Sequence, residues 1–475
     1  MNRSIRFVAG VAALLFFALL AGISFNYVVR SDSLNNHANN RRVRDAEFTQ
    51  PRGAILVSNS PIAQTVPSEG QFARTRTYAN GPLYAPLTGF YSYTYGRSGL
   101  EQRFNTQLTG TDDSQFIGNL LDTIAGRHPE GASLQTTINA RAQQAAWDAL
   151  GGRRGAVVAM DYRTGAVLAY VSSPSYDPNA LTGADIAATQ EAWTALNADP
   201  NRPMADRATR EIYPPGSIFK LVTAAAALEE GLTPETMVDS PANMQLPETE
   251  ITLGNWGSCG GDRVTIRQAL TVSCNTAFAN LGLTLGADAL RTQAESFGFG
   301  TAFTGDFASA TSVFPANPDR PQTAMSAIGQ FEVAATPLQI ASMTAAIAND
   351  GVQMQPYIVA EVRNPDLSVL SQHHPNQLRT SMSVANAQAM KSMMTDVITK
   401  GTGRNANIEG MTMGAKTGTA QSDLQRPDYA WFSGWSDENH VVVTVFVEDA
   451  QDPEDIVSGG RNAAPIGKAV FEALR

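Results

Sequence analysis

The stretch Tyr213-Pro214-Pro215-Gly216-Ser217-Ile218-Phe219-Lys220, running on into Leu221-Val222-Thr223-Ala224-Ala225-Ala226-Ala227-Leu228-Glu229-Glu230-Gly231, decides how the chain is read. Pro-Pro-Gly is a turn signal, and the run after it predicts a helix closed by Gly231. Most faces of that helix are apolar, so it is expected to be buried. Ser217 and Lys220 fall in its first turn, three residues apart and therefore neighbours on one face. A lysine in apolar surroundings loses its proton readily and becomes a base, and a serine beside a neutral amine is an activated nucleophile. The N–H groups of a helix start add a site for an anion. Ser-x-x-Lys alone is a weak signal, because a serine that opens a helix is often only its cap. Yet the chain has only five lysines (220, 391, 400, 416 and 468), and Ser217 is its one serine with lysine three residues on.

The pattern has partners downstream, Ser273-Cys274-Asn275 and Lys416-Thr417-Gly418-Thr419. Ser-x-x-Lys, Ser-x-Asn and Lys-Thr-Gly, in that order, form the motif set of penicillin-binding proteins and serine β-lactamases. On these residues the chain resembles a class B, monofunctional penicillin-binding protein, a peptidoglycan D,D-transpeptidase of the actinobacterial penicillin-binding protein A type. The likeness extends outward. Gln50-Pro51-Arg52-Gly53-Ala54-Ile55-Leu56 is similar to the Arg-Gly opening of that class, although Val57-Ser58-Asn59-Ser60 replaces the usual Asp-Arg-Asn-Gly continuation. Tyr95-Gly96-Arg97-Ser98-Gly99-Leu100-Glu101 resembles its Gly-Leu-Glu segment, and Ala327-Ile328-Gly329-Gln330 and Thr336-Pro337-Leu338-Gln339 resemble its later helical segments.

At 475 residues the chain is long enough for two or three domains, and 43% hydrophobic content allows a sizeable core. A net charge of -10 argues against nucleic acid as a partner. Phe7 to Val29 is uncharged and long enough to span a bilayer. A cleaved signal with a small-x-small site at Gly22-Ile23-Ser24 is the alternative. The apolar run exceeds the usual signal core of about 7–15 residues, which favours an uncleaved anchor. Arg3 and Arg6 precede the span while Arg30, Arg41, Arg42 and Arg44 follow it, so charge alone does not orient it. The resemblance implies a short cytoplasmic end with the rest extracytoplasmic.

The expected division is 1–30 for the cytoplasmic end and transmembrane anchor, 31–145 for a β-rich, dimerisation-like pedestal, and 146–475 for the transpeptidase domain. Asn35 to Arg44 reads as a stalk. In the third region two strands, 155–161 and 166–172, form a hairpin about Tyr162-Arg163-Thr164-Gly165. Three late strands, 411–420, 429–435 and 440–448, follow after helices that include 264–272 and 276–285. The fold class is therefore α+β, one five-stranded antiparallel sheet flanked by helices, among them 140–150 and one near 466–474. Lys400-Gly401-Thr402-Gly403 is a near-match to Lys-Thr-Gly and reads as a loop.

The resemblance implies a chemistry. Ser217 attacks the carbonyl between the terminal D-alanines of a stem peptide, and neutral Lys220 takes its proton. Ser273 relays a proton to the departing D-alanine, and Asn275 holds Lys220 and the substrate amide. Asn275 capping the next helix is the plainer reading of that residue alone. Backbone N–H groups of Ser217 and Thr419 cradle the oxyanion. Lys416, charged, binds the substrate carboxylate with the Thr417 and Thr419 hydroxyls. Gly418 is expected to let the substrate backbone approach the strand. β-Lactams, as D-alanyl-D-alanine mimics, would acylate Ser217.

No cofactor and no metal is expected. The histidines His37, His128, His373, His374 and His440 are scattered, and His373-His374 reads as a surface pair. Cys259 and Cys274 either form a disulfide, in keeping with an exported protein, or remain two free thiols. The partners implied are peptidoglycan stem peptides, β-lactam antibiotics, the membrane, and a SEDS-type glycan polymerase with other wall-synthesis proteins. A D,D-carboxypeptidase and a catalytically idle β-lactam-binding scaffold are the alternatives. A class A β-lactamase is disfavoured, because no Glu-x-x-Leu-Asn segment follows Ser-x-Asn.

Overall fold

Apolar residues without a charge from Phe7 onward build helix α1 (Asn2–Val28), long and apolar enough to cross a membrane. Its side chains from Arg3 to Val28 are exposed, so none of the other described residues covers it. The structure is a computed structural model that describes residues 2–30, 33–34, 45, 47–69, 72–115, 118, 124, 126, 130–183, 185–421, 428–448, 450 and 457–475. The expected stalk at 35–44, with Arg41, Arg42 and Arg44, lies outside the described residues, as do His37 and His128.

The pedestal is built on strands β1 (Ile55–Val57), β2 (Ser60–Pro67), β3 (Arg74–Tyr78) and β4 (Ser133–Thr136). β1 lies between β2, antiparallel, and β4, parallel. Short helices at Gly81–Thr88, Gly99–Arg103 and Asn105–Thr109 accompany them, so the region is less purely strand and loop than its composition predicts. Two of its motifs meet in one buried cluster. Glu101 Oε2 and Oε1 each accept at 2.6 Å, from Arg52 Nε and Arg76 Nε, and Tyr78 OH donates to Oε1 at 3.2 Å. Burial alone would raise the Glu101 pKa, but Arg76 and Arg52 outweigh it and hold the carboxyl low.

The sheet does not end with the N-terminal segment. A hairpin from far along the chain, Val359–Arg363 with Val369–Gln372, adds two strands beside β4 and makes the sheet six-stranded. The segment expected to be wholly catalytic thus lends structure to its neighbour.

Beyond β4 come α2 (Ala140–Leu150), β5 (Gly155–Asp161) and β6 (Val167–Ser173). Helices α3 (Lys220–Glu229), α4 (Ile266–Val272), α5 (Asn275–Leu285), α6 (Pro337–Ala348) and α7 (Val384–Thr399) follow. Strands β7 (Met413–Ala420), β8 (Tyr429–Ser436) and β9 (Val441–Val447) lead to α8 (Ala464–Ala473). The five strands form one antiparallel sheet in the order β7-β8-β9-β5-β6, the architecture expected. Every residue of β9 is buried, as a valine-rich central strand covered on both faces should be. Val443, Val445 and Val157 pack with Ala142, Ala146 and Phe471 of α2 and α8. Val442, Phe446 and Val158 point to the other side, toward α3 and α6. All 12 residues of α6 are buried, and Thr336 caps its start by accepting from Gln339 N at 3.0 Å. One helix boundary is corrected. α4 begins at Ile266, because Val264 pairs with Val238 in a short strand and Thr265 is the cap.

Candidate active site

Ser217 stands in a single 3-10 turn, Gly216–Phe219, and the α-helix begins only at Lys220. The serine is therefore not a helix cap; it is half-buried on a turn pressed against the sheet. Gly216 has φ +51°, and a Cβ there would fall 2.4 Å from the Thr419 carbonyl oxygen. Only glycine fits that approach. Trp431 Nε1 donates to Pro214 O at 3.0 Å, and Gly216 N donates to Gly329 O at 3.0 Å. These two braces, from β8 and from the Gly-Gln segment, fix the turn.

Lys220 is fully buried. Its Nζ donates to Ser273 O at 2.7 Å and to Asn275 Oδ1 at 2.7 Å, with Ser273 Oγ at 3.3 Å. Burial first, and the nearby charge of Lys416 second, push its pKa well below the ordinary lysine value. Among the described residues Lys220 makes no hydrogen bond to Ser217. Its two close acceptors are a carbonyl and an amide oxygen, neither of which can donate. A neutral amine has two N–H groups, so both are committed and its lone pair is left for a hydroxyl.

Ser273 ends α4 in a left-handed conformation, φ 62°, uncommon for a serine. Its Oγ lies 2.8 Å from Lys416 Nζ and so stands between the two lysines. Asn275 opens α5 and does not cap it: Oδ1 accepts from Lys220, and Nδ2 donates to Gly254 O at 3.1 Å. The capping is done by Asn255, whose Oδ1 accepts from Asn275 N at 2.8 Å and Thr276 N at 3.1 Å. Sequence spacing carries no signal for Asn255, twenty residues before Asn275. Cys259 and Cys274 are joined in a disulfide, their Cα atoms 5.4 Å apart, which ties the same loop to Ser-x-Asn.

Lys416 is fully buried on β7, and burial brings its pKa down to about 7. Near neutrality the amine can therefore exchange its proton, and a carboxylate nearby would favour the charged form that carboxylate binding is expected to use. Gly418 also has a neighbour within the protein. A Cβ there would meet Pro215 O at 2.9 Å, Ile218 Cγ1 at 3.0 Å and Trp431 Cβ at 3.1 Å. Its missing side chain admits the serine turn onto the strand. Thr417 is buried with its hydroxyl 2.5 Å from that of Thr402, while Thr419 is half-buried. Of the histidine pair, His374 is exposed and His373 is half-buried, stacking on Tyr357 with ring centroids 3.7 Å apart.

Three motifs separated by up to 199 residues along the chain (217 to 416) thus converge on one hydroxyl, Ser273 Oγ, and two buried amines. Fold and motifs together define the Ser-x-x-Lys class of serine acyltransferases. Residues 155–472 match the family model described as penicillin binding protein transpeptidase domain, and residues 52–134 match penicillin binding protein A dimerisation domain. Two curated relatives carry the description peptidoglycan D,D-transpeptidase PbpA. The one from Mycolicibacterium smegmatis is 40% identical, and the one from Mycobacterium tuberculosis 38%, each covering 100% of this chain and 99% of the relative. The structure of penicillin-binding protein A from M. tuberculosis as a ceftriaxone acyl-enzyme complex superposes with a TM-score of 0.87 at 38% identity, over 90% of this chain and 99% of that one. Its penicillin G acyl-enzyme complex gives 0.85 at 39%, with the same coverage. The chain belongs to the penicillin-binding protein transpeptidase family, as a class B member of the PbpA type.

Proposed function

We propose that this protein cross-links peptidoglycan stem peptides as a serine D,D-transpeptidase, with Ser217 as nucleophile and Lys220 as its base. The observation that carries the reading is the pair of 2.7 Å bonds that hold Lys220 Nζ on two pure acceptors. They leave the lone pair of the neutral amine to accept the Ser217 proton as Oγ attacks the D-alanyl-D-alanine carbonyl. Ser273, touching both lysines, passes a proton to the leaving D-alanine nitrogen. An amine from a second stem peptide then attacks the ester and releases Ser217. The oxyanion lies between the N–H groups of Ser217 and Thr419, where one such donor is worth about 3 kcal/mol in the barrier. Among the described residues Asn275 Nδ2 spends one of its two N–H groups on Gly254 O, which leaves the other for the substrate. Lys416, Thr417 and Thr419 take the terminal carboxylate.

β-Lactams enter the same route and stop at the acyl-enzyme, as the complexes of the M. tuberculosis relative support. In this reading residues 31–145 are a pedestal beneath a catalytic domain at 146–475. α1 is a single-pass anchor in the cell membrane with the catalytic domain outside, beside a SEDS-type polymerase.

The test is intact-mass analysis of the full chain in detergent after incubation with benzylpenicillin, with Ser217→Ala in parallel. A lasting adduct of one drug on the wild type and none on the variant supports the proposal. Rapid drug turnover without an adduct would replace it with a β-lactamase, and an adduct that survives in Ser217→Ala would remove Ser217 from the nucleophile role.

A further inference from the structure

We infer that Thr402 is a positioning residue for carboxylate recognition: its hydroxyl orients the Thr417 hydroxyl toward an incoming carboxylate. The inference rests on the function just proposed and adds a residue that none of the three motifs contains. Thr402 lies in the Lys400–Gly403 loop, which leaves α7 and crosses between two motif segments. On one side Thr402 N donates to Thr271 O at 3.4 Å, two residues before Ser273. Gly401 packs so closely there that a Cβ would lie 2.2 Å from the same carbonyl. On the other side Thr402 Oγ1 is 2.5 Å from Thr417 Oγ1. Its carbonyl oxygen faces Gly460, where a Cβ would fall 2.4 Å from it. The loop is thus held from both flanks, and Thr402 is exposed while Thr417 is buried.

Each hydroxyl has one proton to give and two lone pairs to receive with. If Thr417 donates to Thr402, its proton is spent within the protein. If Thr402 donates, the Thr417 proton is free to point at an anion. A carboxylate only accepts, so its arrival selects the second arrangement. The chain Thr402 to Thr417 to carboxylate then runs in one direction, each bond polarising the next. Lys416 supplies charge to this end of the site, and the threonine pair supplies direction.

Acylation of Ser217 is measured by intact mass across ligand concentrations on the full chain in detergent, with benzylpenicillin and with its methyl ester. Wild type, Thr402→Val, Thr402→Ala and Thr402→Ser are compared. Removing the hydroxyl is expected to raise the half-saturating concentration of the acid about 3–10-fold, the scale of one lost hydrogen bond. The saturating rate should fall by less, the ester should be indifferent, and serine should restore the wild-type value. Equal weakening of acid and ester would reduce Thr402 to a structural support and overturn the inference, as would unchanged acid binding in either hydroxyl-free variant. Should valine not fold, alanine, which adds no branched bulk, carries the same comparison. If the wild type takes no adduct at Ser217 from either ligand, the proposed function itself fails and this inference with it.

Discussion

Lys416 Nζ lies 2.8 Å from Ser273 Oγ in surroundings closed enough to lower the lysine from 10.5 to about 7. Between those two values the unfolded chain holds a proton that the folded protein has released. Stability therefore rises with pH across that window, and below about 7 the full penalty of burying the charge remains. We expect the urea midpoint of the wild type to climb between pH 7 and 10 and that of Lys416→Met to climb less, keeping only the share due to Lys220. Identical slopes would show that Lys416 titrates normally.

Gly216→Ala places a methyl 2.4 Å from Thr419 O on a backbone with φ +51°, whereas Gly418→Ala meets nothing nearer than 2.9 Å. The first should cost about 1–3 kcal/mol and slow penicillin acylation at least about tenfold. The second should cost less on both measures. Denaturation curves and adduct kinetics on the two variants check the ranking, and the reverse order would contradict it.

Glu101→Gln leaves Arg52 and Arg76 buried around a neutral partner. Breaking such a cluster costs about 3–5 kcal/mol. The carboxyl is held below its ordinary 4.5, so its stabilisation is present above that value and is lost as pH falls through the lowered pKa. Urea denaturation should show the loss at pH 7. Penicillin acylation of the fraction that remains folded should stay within about twofold, since Glu101 lies in the pedestal. A variant as stable as wild type would mean the cluster is dispensable.

The Cys259–Cys274 bridge spans 15 residues, a loop for which closure entropy gives about 3 kcal/mol. Alkylation of the denatured, unreduced chain should modify neither cysteine, and prior reduction should expose both. Reduction should also lower the thermal midpoint and slow acylation, because Cys274 sits between Ser273 and Asn275. Two thiols reactive without reductant would refute the bridge.

How much of this was legible in the residues follows the range of the forces involved. The five strands of the catalytic sheet announce themselves through apolar runs, and Ser217, Lys220, Ser273, Asn275 and Lys416 through spacing that chemistry demands. What spacing does not carry is who holds them. Asn255, Thr402, Gly329 and Trp431 act through hydrogen bonds to distant segments, and no local pattern requires such bonds. The same limit explains Gly418, where a glycine is legible but the neighbour that needs it is not. The lowered pKa of Lys416 is illegible for another reason: it depends on burial, which is a property of the assembled fold.

The hairpin at 359–372 has a consequence for inheritance. The chain passes from the pedestal sheet to the catalytic sheet, back to the pedestal and out again, so neither sheet is encoded by one uninterrupted stretch. A single genetic crossover between relatives, placed anywhere between 137 and 358, would join one parent's Leu134 and Gln135 to the other parent's Val362 and Glu361, their partners across the ladder. Side chains of the two strands are neighbours on the sheet although they lie more than two hundred residues apart in the chain. A graft that carries both 133–136 and 359–372 from one parent keeps that ladder intact, whereas a single junction between them does not.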